Sequence, residues 1–509
     1  MLEEKKEVHG RVIILSNRLP ILVSQDDTGQ WKIEPGSGGL VTALAPVLKN
    51  RGGIWIGWPG TVQEDEVVAF DHLMENAIKD AGYRLVPIFL SQLEREKYYK
   101  GFSNEVLWPL FHDFQSYCNF DPEYWESYEK VNLEFAEVTH QHAAEGDFIW
   151  VHDYHLINVA GYLRQKGNRA KIGYFLHTPF PPLDIYLKLP WRFQLLKSLM
   201  EYDLVGFQTM RDRRNFLQCI RTLMKNVVVR GKGTVISLAY ENRQIRVGSF
   251  PISIDFSEFE NLARGQEVTD GAWYLHENFP EQKIIFGVDR LDYSKGIIEK
   301  LKAFRIALER YPDLREKVIL VQVLVPSRRS IPMYARLKDE IERLVGEING
   351  QFTTHGWVPI HYIYRSLNRV ELLSYYRTAE VMLVTPLKDG MNLVAKEYCA
   401  SNLERSGVIV LSEFAGVVSQ FYRNAILVNP YDNEGVADAI HEAVIMPEEE
   451  RRSRMNKLRH SVKKADIYWW VNSFLSAAIA KRLDNFPIIE DYIPEDAGDK
   501  DERKDDSQT

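Results

Sequence analysis

The feature that most constrains the fold is a pattern that occurs twice. Short, continuous runs of β-branched and apolar residues are each followed by residues at helical spacing. In the first half the runs are Arg11–Ser16, Gly53–Trp58, Arg84–Leu90, Phe148–His152, Lys171–His177 and Leu204–Gln208, with helical stretches such as Val131–Ala144 and Leu156–Gln165 between them. After Ser249-Phe250-Pro251 the pattern restarts with Lys283–Val288, Val318–Val325, Val381–Thr385, Val408–Ser412 and Ile426–Asn429. Continuous rather than alternating apolar runs suit strands covered on both faces. Strand and helix in alternation, twice over, predict an α/β chain of two Rossmann-like domains with parallel sheets.

The 509 residues agree with that count, since a single core stops growing near roughly 250–300 residues. Residues 1–250 and 251–465 are the expected domains. Val227–Ile254 reads as edge strands leading into a linker. In Asp466–Arg482, the residues Ile467, Trp470, Val471, Phe474 and Ala478 share one helical face, so a helix within 466–485 should pack back on the body. Residues 486–509 read as an acidic, disordered tail, because nine acids against three bases between Glu490 and Thr509 leave little to bury. Two facing α/β domains place ligands at the carboxyl ends of their strands, here in the cleft between them.

Charge narrows the function. The net charge is −8, most of it in the tail, which offers no basic stripe for nucleic acid. Small anions need only a few local cations. Met1–Gly10 is charged where a secretory signal would be apolar, and no run approaches a membrane span. Cys118, Cys219 and Cys399 lie far apart without C-x-x-C spacing, so neither a zinc site nor a disulfide framework is expected. A reduced, cytoplasmic setting follows.

Candidate groups stand just after strands. Arg18, in Ser16-Asn17-Arg18-Leu19-Pro20, could clamp a phosphate, and Gly36-Ser37-Gly38-Gly39-Leu40 could bring backbone N–H groups to an anion. Asp153 could accept from sugar hydroxyls or serve as a helix N-cap. His152 and His155 form an H-x-x-H, with no third ligand offered nearby. His177 follows the next strand, where a satisfied core histidine is the plain alternative. Arg290 and Lys295, in Asp289-Arg290-Leu291-Asp292-Tyr293-Ser294-Lys295-Gly296, suit a diphosphate whose charge grows as it leaves. Arg328 follows the strand after that. Asp389-Gly390-Met391-Asn392-Leu393-Val394-Ala395-Lys396-Glu397 joins a strand to a helix whose first N–H groups could hold phosphate oxygens. Asp389 and Glu397 are eight apart, about 80° around an ideal helix, so both could border one ligand.

Six motifs in order, SNRLP, SGGLVTAL, VHDYHL, LHTPFP, DRLDYSKG and DGMNLVAKEY, resemble those of the trehalose-6-phosphate synthases, retaining glycosyltransferases of the GT-B fold. The likeness runs from about Val12 to Ser473. It implies transfer of glucose from UDP-glucose to glucose 6-phosphate, with residues 1–250 as acceptor domain and 251–465 as nucleotide-sugar domain. By position it implies an acceptor site of Arg18, Tyr99, Trp108, Asp153 and Arg328. The implied donor site is Gly38, Gly39, His177, Arg290, Lys295, Leu367, Asp389, Gly390, Met391, Asn392, Leu393, Val394, Ala395, Lys396 and Glu397. Of these, Arg290, Lys295, Asp389 and His177 would act in catalysis. No enzyme nucleophile, metal or cofactor is implied, UDP-glucose being a co-substrate. The loop Gln25–Pro35 looks like the longer fungal and plant form. Another acceptor such as glycerol 3-phosphate, a GDP-glucose donor, or a catalytically silent sugar-phosphate sensor stays open at this point, as does a homo-oligomer.

Overall fold

A computed structural model describes residues 10–25, 31–36, 41, 44, 45, 48, 49, 52–61, 82–328, 331–480 and 489–494. It divides into two compact units. The first comprises Met1–Asn261, Lys388–Ala400 and His460–Ile488; the second comprises Leu262–Leu387, Ser401–Arg459 and Ile489–Thr509.

The first unit is built on a nine-stranded sheet in the order β5-β4-β1-β6-β7-β8-β11-β10-β9. Its strands are β1 (Val12–Arg18), β4 (Gly53–Trp58), β5 (Arg84–Pro87), β6 (Phe148–His152), β7 (Lys171–Leu176), β8 (Leu204–Phe207), β9 (Val227–Arg230), β10 (Val235–Tyr240) and β11 (Arg243–Ser249). The strands from β5 to β11 in this order are parallel, and β10 and β9 add an antiparallel edge. Ile13, Ile14 and Leu15 of β1 and Ile149, Trp150 and Val151 of β6 are fully buried, as strands covered on both faces must be. Between Leu19 and Gly36 the chain forms a small hairpin of β2 (Ile21–Gln25) and β3 (Trp31–Pro35), whose tip lies outside the described residues.

The helix Ile467–Ile479 packs on this sheet, as its apolar face predicts. Phe474 stacks on Trp150 at 4.4 Å, Trp470 meets Trp150 at 5.0 Å, and the Trp470 indole donates to Phe250 O at 3.0 Å. A Cβ on Gly173 or Gly206 would fall within 3 Å of the Phe474 ring, so small residues in β7 and β8 let the helix approach.

The second unit holds a six-stranded parallel sheet, β14-β13-β12-β15-β16-β17. The strands are β12 (Lys283–Arg290), β13 (Val318–Val325), β14 (Ile360–Ile363), β15 (Val381–Val384), β16 (Val408–Ser412) and β17 (Ile426–Val428). β14 was not signalled by an apolar run, because His361, Tyr362 and Ile363 are only half-buried at the sheet edge. β12 runs two residues further than its apolar run, so Arg290 is its last residue, as Arg18 is the last of β1.

Strand order reverses between β1 and β6 in one sheet and between β12 and β15 in the other. In open α/β sheets such switch points open the crevice where ligands bind. Arg18 ends β1 and Asp153 follows β6 at the first, and Arg290 ends β12 at the second. Most of residues 486–509 falls outside the described residues; of the rest, Glu490 accepts from the Tyr422 hydroxyl at 3.0 Å and Tyr492 donates to Glu413 at 3.3 Å. Among the described residues no helix is long and apolar enough to cross a membrane.

Candidate active site

Parallel pairing sets Arg18 opposite Trp58. The residue is exposed, but its guanidinium lies over the Trp58 ring, 4.3 Å from its centre, where burial lowers its pKa. Gly60 makes the room, since at φ 106° a Cβ there would fall 1.8 Å from Arg18 Nη1. Trp58 meets Tyr99 edge-on at 5.4 Å and Tyr99 stacks on His155 at 6.1 Å. His155 stacks on Tyr154 at 4.0 Å, and Tyr154 meets Trp108 at 5.9 Å. A chain of rings therefore joins Arg18, Tyr99 and Trp108 to the turn after Asp153. A wide π-helical segment, Arg95–Leu107, carries Tyr99, and Asn104 Nδ2 fixes it by donating to Tyr99 O at 2.6 Å. Such segments favour functional positions because they misalign side chains from ordinary helical spacing.

Asp153 has φ 70° and ψ 170°, a region that costs a residue with a Cβ about 1–3 kcal/mol. Its N–H donates to Phe175 O at 2.8 Å, and its Oδ1 accepts from the His177 N–H at 3.3 Å. Asp153 and His177 are thus joined across neighbouring strands β6 and β7.

Burial lowers the His177 pKa to about 3, so the ring is neutral. Its Nδ1 lies 3.3 Å from Met391 Sδ and its Nε2 lies 3.0 Å from His152 Nδ1. A thioether only accepts, so His177 Nδ1 carries the proton, Nε2 accepts, and His152 Nδ1 donates. His152, also held neutral by burial, meets His177 through this contact. The segment Asp389–Glu397 comes close at the same place: a Cβ on Gly390 would fall 2.1 Å from His177 O.

The helix of that segment begins at Leu393, which corrects the estimate of about 80° between Asp389 and Glu397: Asp389 lies before the helix. Nor does Asp389 cap it. Asn392, at φ 57°, accepts from Ala395 N at 3.2 Å, while Asp389 accepts from Met391 N at 3.3 Å and from Asn392 Nδ2 at 3.2 Å. Asp389 thereby holds the loop that presents Gly390 and Met391. Val394 and Glu397 are half-buried, and Leu393 and Ala395 are buried. The Lys396 ammonium points inward and donates to Ile252 O at 2.8 Å; burial lowers its pKa to about 7. That side chain is a structural strut, and any ligand contact at this position falls to the backbone.

In the second unit, Arg290 is exposed at the end of β12 and Lys295 half-buried in the turn that follows. Leu291 N donates to Val325 O at 2.8 Å, which holds the β12 and β13 ends together. Arg328 lies three residues beyond β13 at φ 47°. Its Nη1 donates to Asp292 Oδ2 at 2.8 Å and to the Tyr334 hydroxyl at 2.6 Å. Leu367 is half-buried after β14, just ahead of Asn368, which caps the helix Arg369–Thr378 with Glu371.

Within the first unit, then, Arg18, Tyr99, Trp108, Asp153, His177, Asp389, Gly390 and Met391 form two adjoining groups; within the second, Arg290, Lys295 and Arg328 form one. Gly38 and Gly39 lie outside the described residues. Sequence reasoning missed Trp58, Gly60, Asp292 and Tyr334, whose roles depend on register and on contacts between loops. The H-x-x-H splits, with His152 on His177 and His155 in the ring stack. Among the described residues no group of three or more His, Cys, Asp or Glu side chains is placed to hold a metal ion.

Known proteins fit this geometry. The model of Glycosyltransferase family 20 matches residues 10–480. The trehalose-6-phosphate synthase of Mycobacterium avium (strain 104) is 42% identical over 472 residues, covering 91% of this chain and 94% of that protein. That of Mycolicibacterium gilvum (strain PYR-GCK) is 42% identical over 477 residues, covering 92% and 93%. An alpha,alpha-trehalose-phosphate synthase (UDP-forming) from Burkholderia xenovorans, solved with glucose-6-phosphate, superposes with a TM-score of 0.82 at 34% identity, covering 92% of this chain and all of that one. An E. coli structure bound with UDP-2-fluoro glucose gives 0.83 at 35% identity, covering 92% and 99%. The α/β fold with two parallel-sheet domains, in the GT-B form that the motifs imply, is borne out by these matches.

Proposed function

The chain belongs to glycosyltransferase family 20, and we propose that it transfers glucose from UDP-glucose to the anomeric hydroxyl of glucose 6-phosphate, giving α,α-trehalose 6-phosphate and UDP. One observation carries the reading: each sheet ends, where its strand order reverses, in groups suited to a phosphorylated sugar. These are Arg18 and Asp153 at one switch point and Arg290, followed by Lys295, at the other. The ligands held by the Burkholderia and E. coli proteins are of the same two kinds.

In this reading Arg18, Tyr99 and Arg328 surround the acceptor phosphate, while Trp108 and Asp153 hold its sugar. Asp389 and His177 face the donor glucose, Glu397 the ribose hydroxyls, and Leu367 with Gly38, Gly39 and the backbone of Gly390–Glu397 the rest of UDP. The donor C1–O bond breaks as the acceptor O1 bonds to C1 on the same face, and the acceptor proton passes to a leaving phosphate oxygen. Configuration is retained without an enzyme nucleophile. Arg290 and Lys295 neutralise charge growing on UDP, an interaction stronger in the transition state than in the ground state and so one that raises turnover. The reaction calls for no resident cofactor or metal. Residues 1–250 act as acceptor domain, 251–465 as nucleotide-sugar domain, 466–485 as returning helix and 486–509 as tail. The setting is the cytoplasm, with no nucleic acid or membrane as partner.

The test offers purified protein UDP-glucose or GDP-glucose with glucose 6-phosphate or glycerol 3-phosphate and follows nucleotide release. Release that depends on UDP-glucose and glucose 6-phosphate is expected. Release that tracks glycerol 3-phosphate and ignores glucose 6-phosphate sinks the reading.

A further inference from the structure

Arg328 sits at φ 47°, a conformation that costs a side-chain-bearing residue about 1–2 kcal/mol relative to ordinary helical backbone. The guanidinium reached from it is held by one fully buried carboxylate. Asp292 Oδ2 accepts from Arg328 Nη1 at 2.8 Å and from the Tyr334 hydroxyl at 3.3 Å. The Tyr334 hydroxyl also lies 2.6 Å from Arg328 Nη1, so the three groups close a triangle. The same carboxylate works in the other direction as well. Asp292 Oδ1 accepts from Ser294 N at 3.0 Å and Ser294 Oγ at 2.8 Å, and Asp292 O accepts from Lys295 N at 3.1 Å. These bonds form the turn Tyr293–Lys295, which ends in left-handed Gly296 and aims Lys295.

Resting on the functional reading above, we propose that Asp292 is a positioning residue for both substrates: Oδ2 orients Arg328 for the acceptor phosphate, and Oδ1 builds the turn that presents Lys295 to the leaving UDP. A fully buried carboxylate is stable only when paired and hydrogen-bonded. Here Arg328 comes from the loop after β13, Tyr334 from the helix Pro332–Phe352 and Ser294 from the turn after β12, so satisfying this one group ties the geometry of Arg328 to that of the turn. Lysine could not replace Arg328 in this role, because an ammonium spent on Asp292 and Tyr334 has no second nitrogen to present, whereas Arg328 bonds both through Nη1 of a planar fork that carries two more nitrogens.

The two ends can be separated by substitution. Asp292→Asn keeps an oxygen for Ser294 but sets an amide N–H or a weaker acceptor against Arg328. The apparent KM for glucose 6-phosphate should rise about tenfold, as for loss of one charge-assisted contact, with a much smaller fall in kcat. Asp292→Ala loses both ends and should reduce kcat as well. In an Arg328→Ala background, Asp292→Asn should add little to the acceptor KM, because its target is gone. Should Asp292 variants fail to fold, Tyr334→Phe gives the same readout, with a smaller rise in acceptor KM. An acceptor KM untouched by Asp292→Asn and Tyr334→Phe, or effects that simply add to those of Arg328→Ala, would overturn the proposal. Absence of turnover in the unaltered protein sinks the functional reading instead, and so is told apart from failure of the positioning role.

Discussion

Arg18 ends a parallel strand and Arg328 lies three residues past one, and the chain holds them by different means. Arg18 rests its guanidinium on Trp58, with the residue as a whole exposed. Arg328 is paired through Nη1 with a buried carboxylate, and its guanidinium also lies 5.6 Å from the centre of the Tyr334 ring. Stacking fixes the plane of a guanidinium through its face and leaves edge donors for a ligand. Pairing holds it through one nitrogen and offsets its charge. The first arrangement suits strong, direct attraction to a phosphate dianion, and the second suits orientation.

The comparison can be broken in several places, and the largest effect belongs to neither arginine. Lys295→Ala should lower turnover by roughly 10²–10³-fold and change the KM for UDP-glucose little, because its contact strengthens only as UDP departs. Steady-state kinetics would show this, and unchanged turnover would remove Lys295 from the leaving-group role. Next comes Arg18→Ala, which should raise the acceptor KM by about 10–100-fold through loss of charge-assisted bonds. Arg18→Lys should recover only part of that, since an ammonium does not stack as a plane. Full recovery would mean that charge alone matters and that the Trp58 platform is incidental.

A smaller effect is expected from Gly60→Ala, whose methyl would meet Arg18 Nη1. The acceptor KM should rise several-fold, and the positive φ should cost stability by about 1–2 kcal/mol, read by denaturant unfolding. The smallest effect concerns acid. His177 is neutral in the fold with a pKa of about 3, below its unfolded value near 6.5. The unfolded chain therefore binds the extra proton as pH falls. The stability from the neutral ring is complete above about pH 6.5 and declines from there towards pH 3, by about 1.4 kcal/mol at pH 5.5. His177→Gln should flatten that part of the stability curve; an identical slope in the variant would argue against a buried neutral ring.

The strands of both sheets were legible because their faces are covered on both sides, so burial wrote continuous apolar runs into the sequence. Arg290 and Arg18 were legible as strand-end cations for the same reason. β14 was not, since an edge strand with half-buried His361 and Tyr362 carries little apolar signal. Tyr99 and Trp108 enter only through the family resemblance; Tyr99 stands next to the Arg18–Trp58 pair and Trp108, which is buried, at the far end of the ring stack, an arrangement of the π-helical segment that spacing does not encode. Lys396 could not be read this way, since a lysine in a segment whose helix start could hold phosphate oxygens turns its side chain inward to Ile252. Asp292 went unread beside Arg290 and Lys295 because its value lies in what two loops bring to it.

The central claim is that the two sets of cations serve two different phosphates. Calorimetric binding of UDP and of glucose 6-phosphate, each alone, to Arg18→Ala and Lys295→Ala tests it most directly. Glucose 6-phosphate affinity should fall in Arg18→Ala and hold in Lys295→Ala, while UDP affinity should do the opposite, by about tenfold or more. Equal losses of both ligands in both variants would contradict the account.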